Sequence, residues 1–135
     1  MELTQEQITT INSKCPEDQG VFTEPWAIPS DIKEPVIYMR FSTGGWTGGS
    51  YREDSFLHPY SSGNPVPSMV VIGYVLEELG VPLTVPLFNE IVSNMVVLSD
   101  DDGADYYGNR TEWLIHYIKM SDVYSVIDLV TNNPL

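Results

Sequence analysis

Hydrophobic and polar positions along the chain follow two periods, and each change of period marks a new element. Near the start, Ile8 and Ile11 stand three apart in an otherwise polar run, which predicts a short surface helix over about residues 5–14. Thr4 and Gln7 frame a capping box at its start, each side chain reaching the other's backbone amide, and Pro16 ends it. Val36-Ile37-Tyr38-Met39-Arg40-Phe41 is apolar apart from Arg40 and rich in β-branched and aromatic residues. Such a run predicts a strand covered on most of both faces. A helical period then returns, with Ser68 as cap, Met69, Ile72, Leu76 and Leu79 on one face, and Gly80 as the stop. Thr84 caps a further helix, with Pro86 in its first turn and Leu87, Phe88, Ile91 and Val92 as its buried set. Met95 to Ser99 reads as a short apolar strand, and Asp100-Asp101-Asp102-Gly103-Ala104-Asp105 as a turn. In the strand expected from Thr111 to Lys119, Trp113, Ile115 and Tyr117 share one face and Leu114, His116 and Ile118 the other. Ser121-Asp122 is expected to cap a last helix that points Val123, Val126, Ile127 and Val130 inward, before Asn132-Asn133-Pro134.

Two stretches lack either period. The Pro-rich segment 16–35 is expected to be irregular, pinned to the core by Phe22, Trp26 and Ile28, and residues 43–67 form a long loop. The elements sum to one α+β domain over residues 1–135, a small, mainly antiparallel sheet of about three strands packed with about four helices. Helices between the first two strands also permit a parallel pair, so strand order stays open.

Composition sharpens this outline at three points. With 135 residues, 42% of them apolar, the chain can bury a real core. No apolar run approaches the roughly 18 residues of a membrane span, and the first residues lack the basic and apolar regions of a signal peptide, so a cytoplasmic protein is expected. Cys15 is the single cysteine, which excludes an intramolecular disulfide and any CxxC site. Charge changes the picture most: 19 acidic residues against 6 basic give a net −13. That field disfavours direct binding to nucleic acid or anionic membranes. It suits a basic protein partner, such as one with a nucleic-acid-binding surface, and it also serves solubility.

Candidate chemistry is sparse. Thr43-Gly44-Gly45-Trp46-Thr47-Gly48-Gly49-Ser50 follows a strand and offers unobstructed amides beside Thr43, Thr47 and Ser50, the makings of a phosphate cradle. It lacks the Gly-Lys-Ser/Thr ending of a P-loop and does not run straight into a helix. As a contact loop it makes better sense, since Trp46 and Tyr51 are large anchors on a backbone that admits close approach, although Trp46 can equally fold into the core. Asp100, Asp101, Asp102 and Asp105 invite a calcium site, yet counting from Asp100 the sixth and twelfth residues are Asp105 and Thr111 where an EF-hand needs Gly and Glu. A solvated acidic row facing a basic partner is the better account, and no metal or other cofactor is expected. Cys15, His58 and His116 show no spacing for a nucleophile and base, and His116 reads as a packed strand residue. Catalysis is therefore not expected.

Two motifs resemble a known group. Phe41-Ser42-Thr43-Gly44-Gly45-Trp46-Thr47-Gly48-Gly49-Ser50 and Tyr106-Tyr107-Gly108-Asn109-Arg110-Thr111-Glu112-Trp113 resemble segments of small acidic hypothetical proteins of bacteriophages and prophages. The resemblance spans roughly Val36 to Val130, and the longer Pro-rich segment before Pro35 departs from it. It implies a phage origin, and no activity is established for the group. With the charge, it points to a non-catalytic inhibitor in the cytoplasm of a host bacterium. Such a protein would block a host or defence protein, as anti-CRISPR or anti-restriction proteins do, by steric blockade or imitation of DNA charge. The expected contacts are Trp46, Tyr51, Asp100, Asp101, Asp102, Asp105, Tyr106 and Tyr107. The alternative is a module that binds a phosphorylated metabolite or signalling nucleotide through Thr43, Gly44, Gly45, Thr47, Gly48, Gly49 and Ser50.

These alternatives separate in a thermal-shift screen. The contact reading predicts that a panel of nucleotides leaves the Tm unchanged. Stabilisation by a nucleotide that Gly45→Val or Gly48→Val abolishes would establish the phosphate cradle instead.

Overall fold

The computed structural model describes residues 2–16, 18–42, 69–104 and 110–132, with side chains at 41, 42, 69, 99–104 and 110–113 outside the description. Four helices and four strands follow in the order α1 (Gln5–Lys14), β1 (Gln19–Phe22), β2 (Val36–Ser42), α2 (Met69–Leu79), α3 (Val85–Ser93), β3 (Val96–Ala104), β4 (Arg110–Lys119) and α4 (Met120–Asn132). The class is α+β, as the periodicity predicts. The sheet has four strands in the order β1-β2-β4-β3, and every neighbouring pair is antiparallel. β4 enters between β2 and β3, so the two strands separated by helices are not neighbours and the question of a parallel pair does not arise.

Helix boundaries follow local chemistry. The Thr4 hydroxyl accepts from the Gln7 amide at 3.1 Å and Gln7 Oε1 accepts from the Thr4 amide at 2.9 Å, completing the capping box of α1. α2 ends at Gly80, whose φ of 72° is open to glycine at little cost. The amides of Gly80 and Val81 turn back to the carbonyls of Glu77 and Leu76, the paired bonds of a Schellman motif. Thr84 caps α3 as predicted, with a proline in the first turn. The expected cap at Ser121-Asp122 needs correction: α4 begins at Met120, and the Glu34 carboxylate accepts the Ser121 amide at 2.8 Å. A group distant in sequence does the work of a local cap. That bond, with smaller help from the Ser121 side chain and Lys119, holds the Glu34 carboxyl below its usual range against a burial effect of opposite sign.

All four helices pack on one face of the sheet. Ile11 of α1, Val71, Ile72, Val75 and Leu76 of α2, Leu87 and Ile91 of α3, and Val123, Val126 and Ile127 of α4 close over Val21, Ile37, Met39 and Ile118. The opposite face buries Val36, Tyr38, Ile115 and Tyr117 beneath Ile28. Ile32, in the connection from β1 to β2, packs there too. β2 is thus covered on both sides, as its near-continuous apolar run requires.

The segment expected to be irregular contains β1. Its four residues, with Gly20 at the centre, carry too little alternation to read as a strand, and pairing creates it: Gln19↔Met39 through Phe22↔Val36 on one side. On the other side the Asn12 side chain of α1 imitates a neighbouring strand. Asn12 Oδ1 accepts the Val21 amide at 2.8 Å and Nδ2 donates to the Val21 carbonyl at 3.0 Å. Gly20 permits this approach, because a Cβ there would fall inside contact distance of Asn12 Oδ1, and its φ of 151° also favours glycine. Asn12→Ala should therefore lower stability by about 1–3 kcal/mol, the cost of two backbone groups losing their partner. Asn12→Asp should recover only the bond to the Val21 amide, and a loss within about 0.5 kcal/mol for Asn12→Ala in urea melts would show the contact to be incidental.

Candidate protein-contact surface

β3 is an edge strand of the described sheet, and its sequence runs Val96-Val97-Leu98-Ser99-Asp100-Asp101-Asp102-Gly103-Ala104. Val96 and Val97 alternate between its two sides and are 42% and 55% exposed, so neither face is covered where the strand begins. The acidic run lies in strand, not in a turn. Asp and Gly are poor strand formers, so the local sequence reads as a turn, but ladder pairing to β4 continues through Asp100↔Trp113 and Asp101↔Glu112. A shift of register before Ala104↔Arg110 inserts one extra residue on β3, a bulge that accommodates Asp102-Gly103. The pairing sets Asp101 directly opposite Glu112 in the ladder.

The other predicted contacts are not all placed. Trp46, Tyr51, Asp105, Tyr106 and Tyr107 lie outside the described residues, as do all of Thr43, Gly44, Gly45, Thr47, Gly48, Gly49 and Ser50. Of the eight residues put forward as a contact surface, Asp100, Asp101 and Asp102 are brought together on one strand edge.

Few cations offset the acids. Lys14 Nζ is 3.0 Å from Glu77 Oε1, Lys33 pairs with Glu24, and Arg40 Nη2 is 2.8 Å from Asp18 Oδ1. Each of these three basic side chains is matched to an acid of the same chain. Sequence reasoning missed the Arg40 cluster. Trp26 was expected to pin the proline-rich segment in the core; instead it is 44% exposed, with the Arg40 guanidinium 5.3 Å from its ring centre. Its carbonyl accepts the Tyr38 hydroxyl at 2.9 Å. Three non-glycine residues of this neighbourhood, Asp18, Glu24 and Ala27, have positive φ, so the connection over the second sheet face is held in sparsely populated conformations. Arg40 as the one charge in an apolar strand was the available signal.

Cys15 and His116, weighed above as nucleophile and base, both lie in apolar surroundings. Cys15 is half-buried against the helix-side core, and that burial pushes its thiol pKa up, away from nucleophilic character. His116 is buried in the middle of β4, opposite Met39 on one side and Val97 on the other. Among the described residues no group of histidine, cysteine and acidic side chains has the arrangement of a metal site, and no helix is long and apolar enough to cross a membrane. No protein-family model, curated protein or solved structure matches the chain. Among the described residues the chain is an acidic α+β protein whose sheet ends on β3, the strand that carries the aspartate run.

Burial lowers the His116 pKa below its ordinary 6.5. The native state therefore resists a proton that the unfolded chain accepts, so stability should be full above about pH 6.5 and fall as the pH drops toward the folded pKa. Comparing urea melts of the wild type and His116→Leu between about pH 7.5 and 5.5 should show that slope shrinking in the variant. Equal slopes would place the proton uptake elsewhere.

Proposed function

We propose that the chain is a non-catalytic inhibitor, of the phage origin its motifs imply, that binds a basic, nucleic-acid-binding host or defence protein and blocks it. The observation that supports this reading is the position of Asp100-Asp101-Asp102 in β3, an edge strand of the described sheet, in a protein of net −13. An edge strand presents unpaired backbone donors and acceptors, and carboxylates beside them select partners of positive charge. Lys14, Lys33 and Arg40 are each held by an acid of the same chain, and the net charge after all six cations are counted is still −13. A protein surface evolved to hold phosphates is the complementary partner, and occupying it excludes DNA or RNA by sterics and by charge.

The test is displacement. Bacterial restriction and CRISPR effector proteins would be loaded with a fluorescent DNA duplex, and the chain added while anisotropy is followed. The reading predicts release from at least one effector, with apparent affinity falling about tenfold or more between roughly 50 and 300 mM salt. The triple substitution Asp100→Asn, Asp101→Asn and Asp102→Asn should weaken release by a similar factor. Salt-independent binding that the triple variant leaves untouched would overturn the electrostatic account, and no release from any effector would overturn the inhibitor.

A further inference from the structure

On the side of the molecule built by helices, a groove of about 910 Å³ runs between the α2–α3 connection with α3 and the last turn of α4. Val81, Pro82, Leu87, Glu90, Leu129 and Val130 are among the residues that line it. Leu129, 56% exposed, stands on one wall. Among the described lining residues Glu90 is the one ionisable group, and the exposed Asp128 precedes Leu129.

From these features we infer that the groove receives a cationic amphipathic helix of a protein partner. Among the described residues its walls are helix side chains and a connection containing Pro82, with no strand edge to pair with an extended peptide. An occupant must therefore satisfy its own backbone hydrogen bonds, which a helix does. The apolar walls fit leucine-like anchors spaced along one helix face. Glu90, Asp128 and the field of a −13 chain select lysine or arginine on its flanks, and the same field repels a second copy of this chain. The inference rests on the proposed binding of basic partners and adds a second, apolar point of attachment away from the acidic strand.

A fluorescent peptide of about 18 residues, roughly five helical turns, is the probe, with leucines at helical spacing and lysines elsewhere. A scrambled peptide of the same composition and a version with Glu for Lys accompany it. With the full chain at near-physiological salt, the patterned lysine peptide should bind about tenfold or more tightly than the scramble. Leu129→Ser should remove most of that advantage while circular dichroism reports an unchanged fold, and Glu90→Gln with Asp128→Asn should reduce it. The triple Asn variant in β3 should leave the ratio of patterned to scrambled affinity unchanged. Equal binding of patterned and scrambled peptides would overturn the groove inference and leave the acidic-field reading standing, whereas failure of both to bind at low salt would sink the two together. Equal affinity for the Glu and Lys peptides would overturn the cationic occupant. A dimer in sedimentation that Leu129→Ser dissolves would assign the groove to a second copy instead.

Discussion

The structure depends on β2 and β4 lying side by side with both of their faces buried. Ile37 opposite Ile118 faces the helices, and Tyr38 opposite Tyr117 faces the connection between β1 and β2. Because side chains alternate with period two, a slip of one residue would exchange these sets and put Tyr117 beneath the helices, so packing on both sides pins the register. This central pair leaves β1 and β3 as edges, and the chain treats them differently. β1 is closed by the Asn12 amide, which stands in for a neighbouring strand. β3 has no such partner among the described residues, and it carries three aspartates and a bulge. Charges and bulges are how edge strands avoid pairing with copies of themselves. Under the proposed function the same charges select a basic partner.

The few cations matter for potential rather than stability. Exposed ion pairs such as Lys14 with Glu77 contribute little to folding, because solvent screens them and two long side chains lose freedom. Matching Lys14, Lys33 and Arg40 to local acids confines each positive charge beside a carboxylate of the same chain and leaves the net −13 unchanged. Arg40 combines this with a structural task, since it lies over Trp26 while bound to Asp18 and so ties the β1–β2 connection to the end of β2.

Much of the fold was legible because the deciding physics is local. Caps at Thr4 and Thr84, the stop at Gly80 and the two-sided strand from Val36 are set by neighbours within a few residues, and pattern alone finds them. What escaped is decided by partners distant in sequence. β1 exists because Val21 pairs with Ile37 on one side and Asn12 on the other. The α4 cap comes from Glu34 across the connection, and Asp100 to Asp102 are drawn into a strand by β4 against their own preference. The surface was half legible: the charge and the aspartate run were plain in composition. The groove between α3 and α4 and the placing of the run on an open edge needed the tertiary arrangement.

The account turns on β3 being an open edge, and amide hydrogen exchange read by NMR tests that directly. Antiparallel pairing to β4 occupies every other amide of β3, so protection should alternate along Val96 to Asp101, with the outward amides exchanging at near loop rates while β4 is protected throughout its centre. Uniform slow exchange along β3 would contradict the account, since it would mean that the edge is already covered and unavailable to a partner.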